Sequence, residues 1–256
     1  MKKSLTISML FFLLIGSASF AQNRWSVGLQ IGAVGNHSKY SSGMSDASAL
    51  FNNNVFGTGQ IGIYFRYRMT ERFSFQTGYD FSEFGFSYAL AKDYNLLNPH
   101  EHYAELQTGT CISRLPALII YNSKLNCRNM RFILGAGLTF TTIDNNWLSE
   151  SSTRVTSEGV ENLVPTDMTQ QTHSTTSASS SFTWLIGVEK VFKRGNMLAL
   201  TFQANYGFND IAESTVSYTA NNKNYTHTFT NNGSWAGVGL CYYFLPMGSR
   251  KHIAAK

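Results

Sequence analysis

The chain lacks any apolar run long enough to cross a membrane as a helix. Such a span needs roughly 18 residues or more, and the stretch from Leu5 to Ile15 falls short. Charge is scarce as well. Asp, Glu, Lys and Arg make up 14 % of the residues, against roughly 25 % in ordinary soluble domains. Cysteine is limited to Cys111, Cys127 and Cys241, an odd, widely spaced set that gives neither a disulfide framework nor a zinc site. One pair could join in an oxidising compartment, but the spacing does not assign it. No G-x-S-x-G, H-E-x-x-H or P-loop occurs, so catalysis is not expected. Ser and Thr are so common that their nearness to His173 or His227 carries no weight.

Residues 1–21 read as a signal peptide. Lys2 and Lys3 form a positive start, an apolar core follows, and Ser19-Phe20-Ala21 places small residues at the cleavage-critical positions. Cleavage leaves Gln22 first, and no Cys follows it to carry a lipid. Losing Lys2 and Lys3 lowers the formal charge from +5 to +3, and Arg250, Lys251 and Lys256 supply that remainder. The body is then neutral, which argues against a nucleic-acid partner.

What the sequence does have is alternation. Eight segments place apolar residues at every second position, the period of a strand. Trp25 to Ala33 opens the series, and Ile61 to Met69 answers it with Gln60, Gly62, Arg66 and Arg68 opposite. After a tight turn at Thr70-Glu71 come Phe73, Phe75, Thr77, Tyr79 and Phe81, facing away from Gln76 and Asp80. The apolar phase then shifts to Phe84, Phe86 and Tyr88, which predicts a β-bulge near Ser82-Glu83. Leu115 to Tyr121 contains Pro116, which predicts a second local bulge because proline cannot donate to a ladder. Phe132 to Phe140, Phe182 to Val188, Leu198 to Phe208 and Ala236 to Phe244 complete the set. Ser214–Thr219 and Tyr225–Thr230 flank a turn at Asn221-Asn222 and read as a protruding hairpin.

Long polar loops alternate with short turns, and both chain ends lie on the side of the short turns. Aromatics gather there: Trp25, Tyr67, Phe73, Tyr121, Phe192, Tyr242 and Phe244. That is the pattern of an interfacial girdle. The face opposite the apolar one is Gly, Ser, Thr, Gln and Asn. A soluble barrel would instead need charges on its outer face. The expected fold is therefore all-β: an eight-stranded antiparallel up-and-down transmembrane β-barrel over 22–246, with short periplasmic turns, long outer loops and a basic tail at 247–256. Ten strands are not excluded by sequence.

Three stretches carry a family likeness. Arg114-Leu115-Pro116-Ala117-Leu118-Ile119-Ile120-Tyr121, Arg131-Phe132-Ile133-Leu134-Gly135-Ala136-Gly137-Leu138 and Gly237-Val238-Gly239-Leu240-Cys241-Tyr242-Tyr243-Phe244 resemble segments of the small, porin-like outer-membrane β-barrel family abundant in Bacteroidetes-type bacteria. The likeness covers most of the mature chain. It implies a barrel in the outer membrane of a Gram-negative cell and no transferable functional residues. The family's aromatic C-terminal ending matches Phe244, although twelve residues follow it here.

An eight-stranded barrel has an interior that side chains just fill. The inward set Gln60, Arg66, Arg68, Gln76, Asp80, Glu189 and Gln203 is expected to form a polar plug, with Arg66 or Arg68 paired to Asp80 or Glu189, since unpaired buried charge is costly. No cofactor or metal is expected. His37, His100, His102, His173 and His227 all fall in outer loops, and His100-Glu101-His102 is too short a pattern to specify a metal. Expected partners are outer-membrane lipid and a surface partner reached through the loops. The segment 144–180 and the hairpin around Asn222 are the candidates for that contact. A monomer with a structural or surface-interaction role is expected. The alternatives are a narrow porin-like channel or an accessory barrel of a secretion or envelope machine.

Overall fold

The structure is a computed structural model that describes residues 24–36, 38–42, 51–91, 102–124, 128–143, 148–153, 166–193, 195–220 and 223–244. The segments expected to be a signal peptide and a basic tail lie outside the described residues.

Eight long strands close into one barrel: β1 (Trp25–Asn36), β4 (Phe56–Arg68), β5 (Phe73–Ala91), β6 (His102–Asn122), β7 (Met130–Ile143), β10 (Ala178–Val191), β11 (Met197–Gly207) and β14 (Trp235–Phe244). The order around the wall is β5-β4-β1-β14-β11-β10-β7-β6, and β6 returns to β5, so no edge is left open. All neighbours are antiparallel. At the far end from the short turns stand β2 (Lys39–Ser42), β3 (Phe51–Asn54), β8 (Leu148–Thr153), β9 (Thr166–Ser174), β12 (Ala212–Ala220) and β13 (Lys223–Asn231). β3 pairs with the upper part of β5, and the other five make a second sheet in the order β2-β13-β12-β9-β8.

The alternation decides what each face meets. Leu29 (53 % exposed), Ile31 (62 %) and Phe132 (68 %) point outward, while Gln30, Arg66 and Glu189 point into the lumen at 5 % or less. In water such a wall would be untenable, because a wide apolar belt would face solvent. Against lipid it is the favourable arrangement, and the closed ladder leaves few backbone groups for the lipid to meet. On β5 the outward apolar run from Phe73 to Phe81 covers about 20 Å along the membrane normal, from rise and tilt.

Above that belt the polarity inverts. Phe84, Phe86, Tyr88, Ile112, Ile143, Ile211, Val216 and Phe229 pack inside the barrel mouth as an ordinary hydrophobic core. The hairpin β12–β13 supplies Val216 and Phe229 to it from outside the belt. Each fully buried large apolar side chain there contributes about 1.5 to 3 kcal/mol.

This inversion overturns the bulge expected at Ser82-Glu83. β5 pairs with β6 in an unbroken register from Phe73↔Tyr121 to Leu90↔Ala104, and Phe84 faces inward like Ser82 and Asp80. The apolar phase shifts because the strand leaves the belt, where inside is polar, for water, where inside is apolar. The extra residue sits on the neighbouring strand. Between Asn54↔Ser87 and Gln60↔Ser82, five residues (Val55 to Gly59) face four (Glu83 to Phe86). Pro116 causes no bulge either. The register is the same on both sides of it, and only the pairing of Gly78 and Tyr79 across to β6 is interrupted. The segment 144–180, expected to be a loop, carries β8 and β9 and the start of β10. The first outer loop likewise contains β2 and β3, and the hairpin expected around Asn222 is β12–β13.

Candidate functional site

The lumen holds the charged and hydrogen-bonding side chains that the wall cannot. At the level nearer the short turns, β4 contributes Arg66, β5 Gln76, β7 Arg131, β10 Glu189 and β14 Tyr243. Glu189 is fully buried and forms ion pairs with both Arg66 and Arg131. Arg131 also donates from Nε to Glu189 at 2.7 Å. Arg66 donates from Nε and Nη2 to Gln76 Oε1 at 3.2 and 2.9 Å, and from Nη2 to the Tyr243 hydroxyl at 3.1 Å. The Tyr243 hydroxyl in turn donates to Gln76 Oε1 at 2.8 Å. The cluster therefore ties together strands that are distant in sequence through one carboxylate and one amide oxygen.

A second cluster lies higher. Arg114 of β6 donates to Asp80 Oδ1 at 2.7 Å and to Ser82 Oγ at 2.7 Å. Tyr64 donates to Asp80 Oδ2 at 2.9 Å. The Arg114 guanidinium carbon sits 4.4 Å from the Trp235 ring centre. Both carboxylate oxygens of Asp80 are thus used, which offsets the cost of taking the charge out of water.

Of the residues expected in the lumen, Arg66, Gln76 and Glu189 meet in the lower cluster. Asp80 meets Arg114 instead of Arg66 or Arg68. Gln203 reaches only Thr201, from Nε2 to Oγ1 at 3.5 Å. Gln60 is buried with no hydrogen-bond partner for its amide nitrogen. Arg68 is exposed at the mouth on the short-turn side, its backbone nitrogen donating to the Arg24 carbonyl at 2.8 Å. Tyr64 falls on the inward face with Arg66 as strand period predicts, but sequence reasoning missed Arg114, Arg131 and Tyr243. The signal was present for all three: each directly precedes an outward apolar residue, Leu115, Phe132 or Phe244, and so falls on the inward phase.

The inward face is also less polar than expected. Leu118, Ile120, Ile133, Leu185, Met197, Ala199 and Cys241 form an apolar cluster within the lumen, alongside Tyr64 and Tyr243. These side chains fill the volume beside the ion pairs and lower the local dielectric, which strengthens the pairing.

The histidines are not loop residues where they are described. His102 begins β6, His173 lies exposed on β9, and His227 lies on β13 with 1 % exposure. Burial holds the His227 imidazole below its usual pKa. His37, His100 and Glu101 lie outside the described residues. No group of three or more metal-ligating side chains forms among the described residues. Cys111 is exposed and Cys241 buried, both as free thiols. Cys127 lies outside the described residues.

No protein-family model matches this chain, and no curated protein matches it. Solved structures do. The outer membrane protein OprG from Pseudomonas aeruginosa is 14 % identical over 89 % of this chain and 99 % of its own, with a TM-score of 0.46. The N-terminal β-barrel domain of OprF from the same organism is 12 % identical over 87 % and 98 %, with a TM-score of 0.35. The outer membrane protease OmpT from Escherichia coli is 10 % identical over 89 % and 99 %, with a TM-score of 0.38. At these values the likeness is one of general architecture.

Proposed function

We propose that this protein is an outer-membrane barrel with a sealed lumen and no catalytic role, which works through the sheet it raises outside the membrane. The observation that carries this reading is the filling of the lumen at successive levels. The Arg66–Glu189–Arg131 cluster and the Arg114–Asp80 cluster lie within the belt, and the Phe84–Phe86–Tyr88 core lies above it. Apolar constrictions of that kind exclude water and ions. Supporting the surface role, the outer sheet presents a polar face in which Thr169, Gln171 and His173 of β9 are exposed. It is held on a rigid scaffold, the usual setting for recognition.

Planar-bilayer recording of the purified, refolded chain tests the reading. A silent bilayer is the expected result. Stepwise conductance would refute the seal and establish the alternative, a narrow porin-like channel.

A further inference from the structure

Charge is sorted by end along the barrel axis. At the end of the short turns Arg24, Arg68, Arg72, Lys124, Lys190 and Lys193 are all exposed. Among the described residues there, Glu71 is the one exposed acid. Just inside that mouth, Arg66 and Arg131 outnumber Glu189 two to one. At the opposite end the sign reverses among the described residues: Glu83, Glu150 and Asp210 are exposed, against Lys39. A chain body of near-zero net charge is thus a strong dipole once folded.

The position of the cations is as informative as their number. They begin β1 and lie on the turns β4–β5, β6–β7 and β10–β11, so they ring the perimeter. Most are one residue beyond an aromatic of the girdle: Arg24 beside Trp25, Arg68 beside Tyr67, Arg72 beside Phe73, Lys193 beside Phe192. Trp25 pairs with Tyr67 at 4.8 Å and Phe73 with Tyr121 at 5.6 Å across neighbouring strands, and Phe192 at the β10–β11 turn lies 6.3 Å from Tyr242 of β14 between ring centres. Such rings settle at headgroup depth, which puts the next residue out at the phosphate plane. Lys190 is on the outward phase of β10, where its ammonium snorkels to the same plane.

We propose that this ring binds the anionic phospholipids of the leaflet on the short-turn side and fixes the barrel's depth through them. A ring on every turn suits a leaflet, which surrounds the barrel, better than a protein docked on one side. The cationic excess selects an anionic headgroup over a zwitterionic one, whose phosphate brings its own ammonium. The proposal rests on the reading of the wall as membrane-spanning with its turns in the periplasm.

The test uses the full mature chain in vesicles containing spin-labelled phosphatidylglycerol or phosphatidylcholine. At low salt the anionic lipid should associate on the order of fivefold more strongly, the effect of one close cation per headgroup at about 1 kcal/mol. About 0.5 M salt should bring the ratio toward one. The triple variant Arg72→Gln/Lys124→Gln/Lys193→Gln should at least halve the preference, each single variant should give a graded part of it, and Lys39→Gln should leave it unchanged. An unboiled gel band that shifts on heating shows that each variant is folded. Equal association of the two lipids, or a preference untouched by salt and by the triple variant, would overturn the proposal. So would charge-dependent retention on isolated sacculi without lipid preference, which would make cell-wall carboxylates the ligand. Absence of any heat shift in the wild type would instead remove the barrel reading, and the proposal with it.

Discussion

Replacing Glu189 by Gln removes the one carboxylate shared by Arg66 and Arg131. Glu189 has 0 % side-chain exposure, Arg66 3 % and Arg131 9 %. The substitution keeps the shape but puts an NH2 group where an oxygen received guanidinium protons. Arg66 retains Gln76 and Tyr243 as hydrogen-bond acceptors, so its donors stay largely satisfied. What it loses is its compensating charge. Breaking a buried pair by removing one partner costs about 3 to 5 kcal/mol. Because Arg131 lies near the open mouth and Arg66 keeps its neutral partners, the lower end applies, about 3 kcal/mol. Urea titration in lipid vesicles, followed by the heat-shiftable gel band, reads the loss as a lowered midpoint. Arg66→Met alone should cost less, because Glu189 keeps Arg131. The double variant Arg66→Met/Glu189→Gln should cost less than the two singles summed. A loss below about 1 kcal/mol for Glu189→Gln, the range of exposed pairs, would mean that water reaches the cluster. Strict additivity in the double variant would mean the same, and the sealed-lumen argument would fail.

Further expectations follow from other levels of the barrel. Phe86→Ala empties a site of 0 % exposure between Phe84 and Tyr88. It should cost about 3 to 5 kcal/mol, seen as faster protease cleavage of the outer hairpins while the heat shift persists. A Cβ at Gly137 would run into the Ala117 carbonyl oxygen on β6. Gly137→Val should therefore lower the refolded yield by the gel assay, at an overpacking cost of about 1 to 3 kcal/mol. His227 has its pKa lowered in the fold by burial, so the unfolded chain binds the proton more readily and stability rises with pH. Its contribution is complete above the ordinary value of about 6.5 and fades as pH falls through the folded value. Proteolysis of the outer sheet should thus be faster at acid than at neutral pH, and His227→Gln should flatten that difference. In a Cys127→Ser background on whole cells, a membrane-impermeant maleimide should label exposed Cys111 and spare buried Cys241. Labelling of Cys241 would contradict its placement in the lumen.

The two clusters in the lumen show why part of the site was legible and part was not. Arg66, Gln76, Asp80 and Glu189 could be assigned to the interior from strand period alone, because period 2 is a local property. Their partners were legible only in part. The need to neutralise buried charge put Arg66–Glu189 among the expected pairs, and it forms across 123 positions, but Asp80 meets Arg114 across the seam that closes the barrel, where β5 and β6 join. The same limit explains Phe84. Its apolar neighbours signal a change, but whether a strand has gained a residue or left the membrane depends on the registers of the strands beside it. The mixed character of the lumen was hidden for another reason. Leu118, Ile120 and Ile133 sit among outward apolar residues, so β6 and β7 read as continuous apolar runs in which alternation fades.

The sequence by itself determined the alternation, the rhythm of long and short connections and the aromatic belt at one end. Each of these follows from side-chain period and turn chemistry within a few residues. The tertiary structure alone decided which of the possible charge pairs form, where the interior passes from polar to apolar, and that a chain body of near-zero net charge folds into a dipole with a cationic ring. These depend on the register and closure of the sheet, which bring to one level residues that the chain keeps far apart.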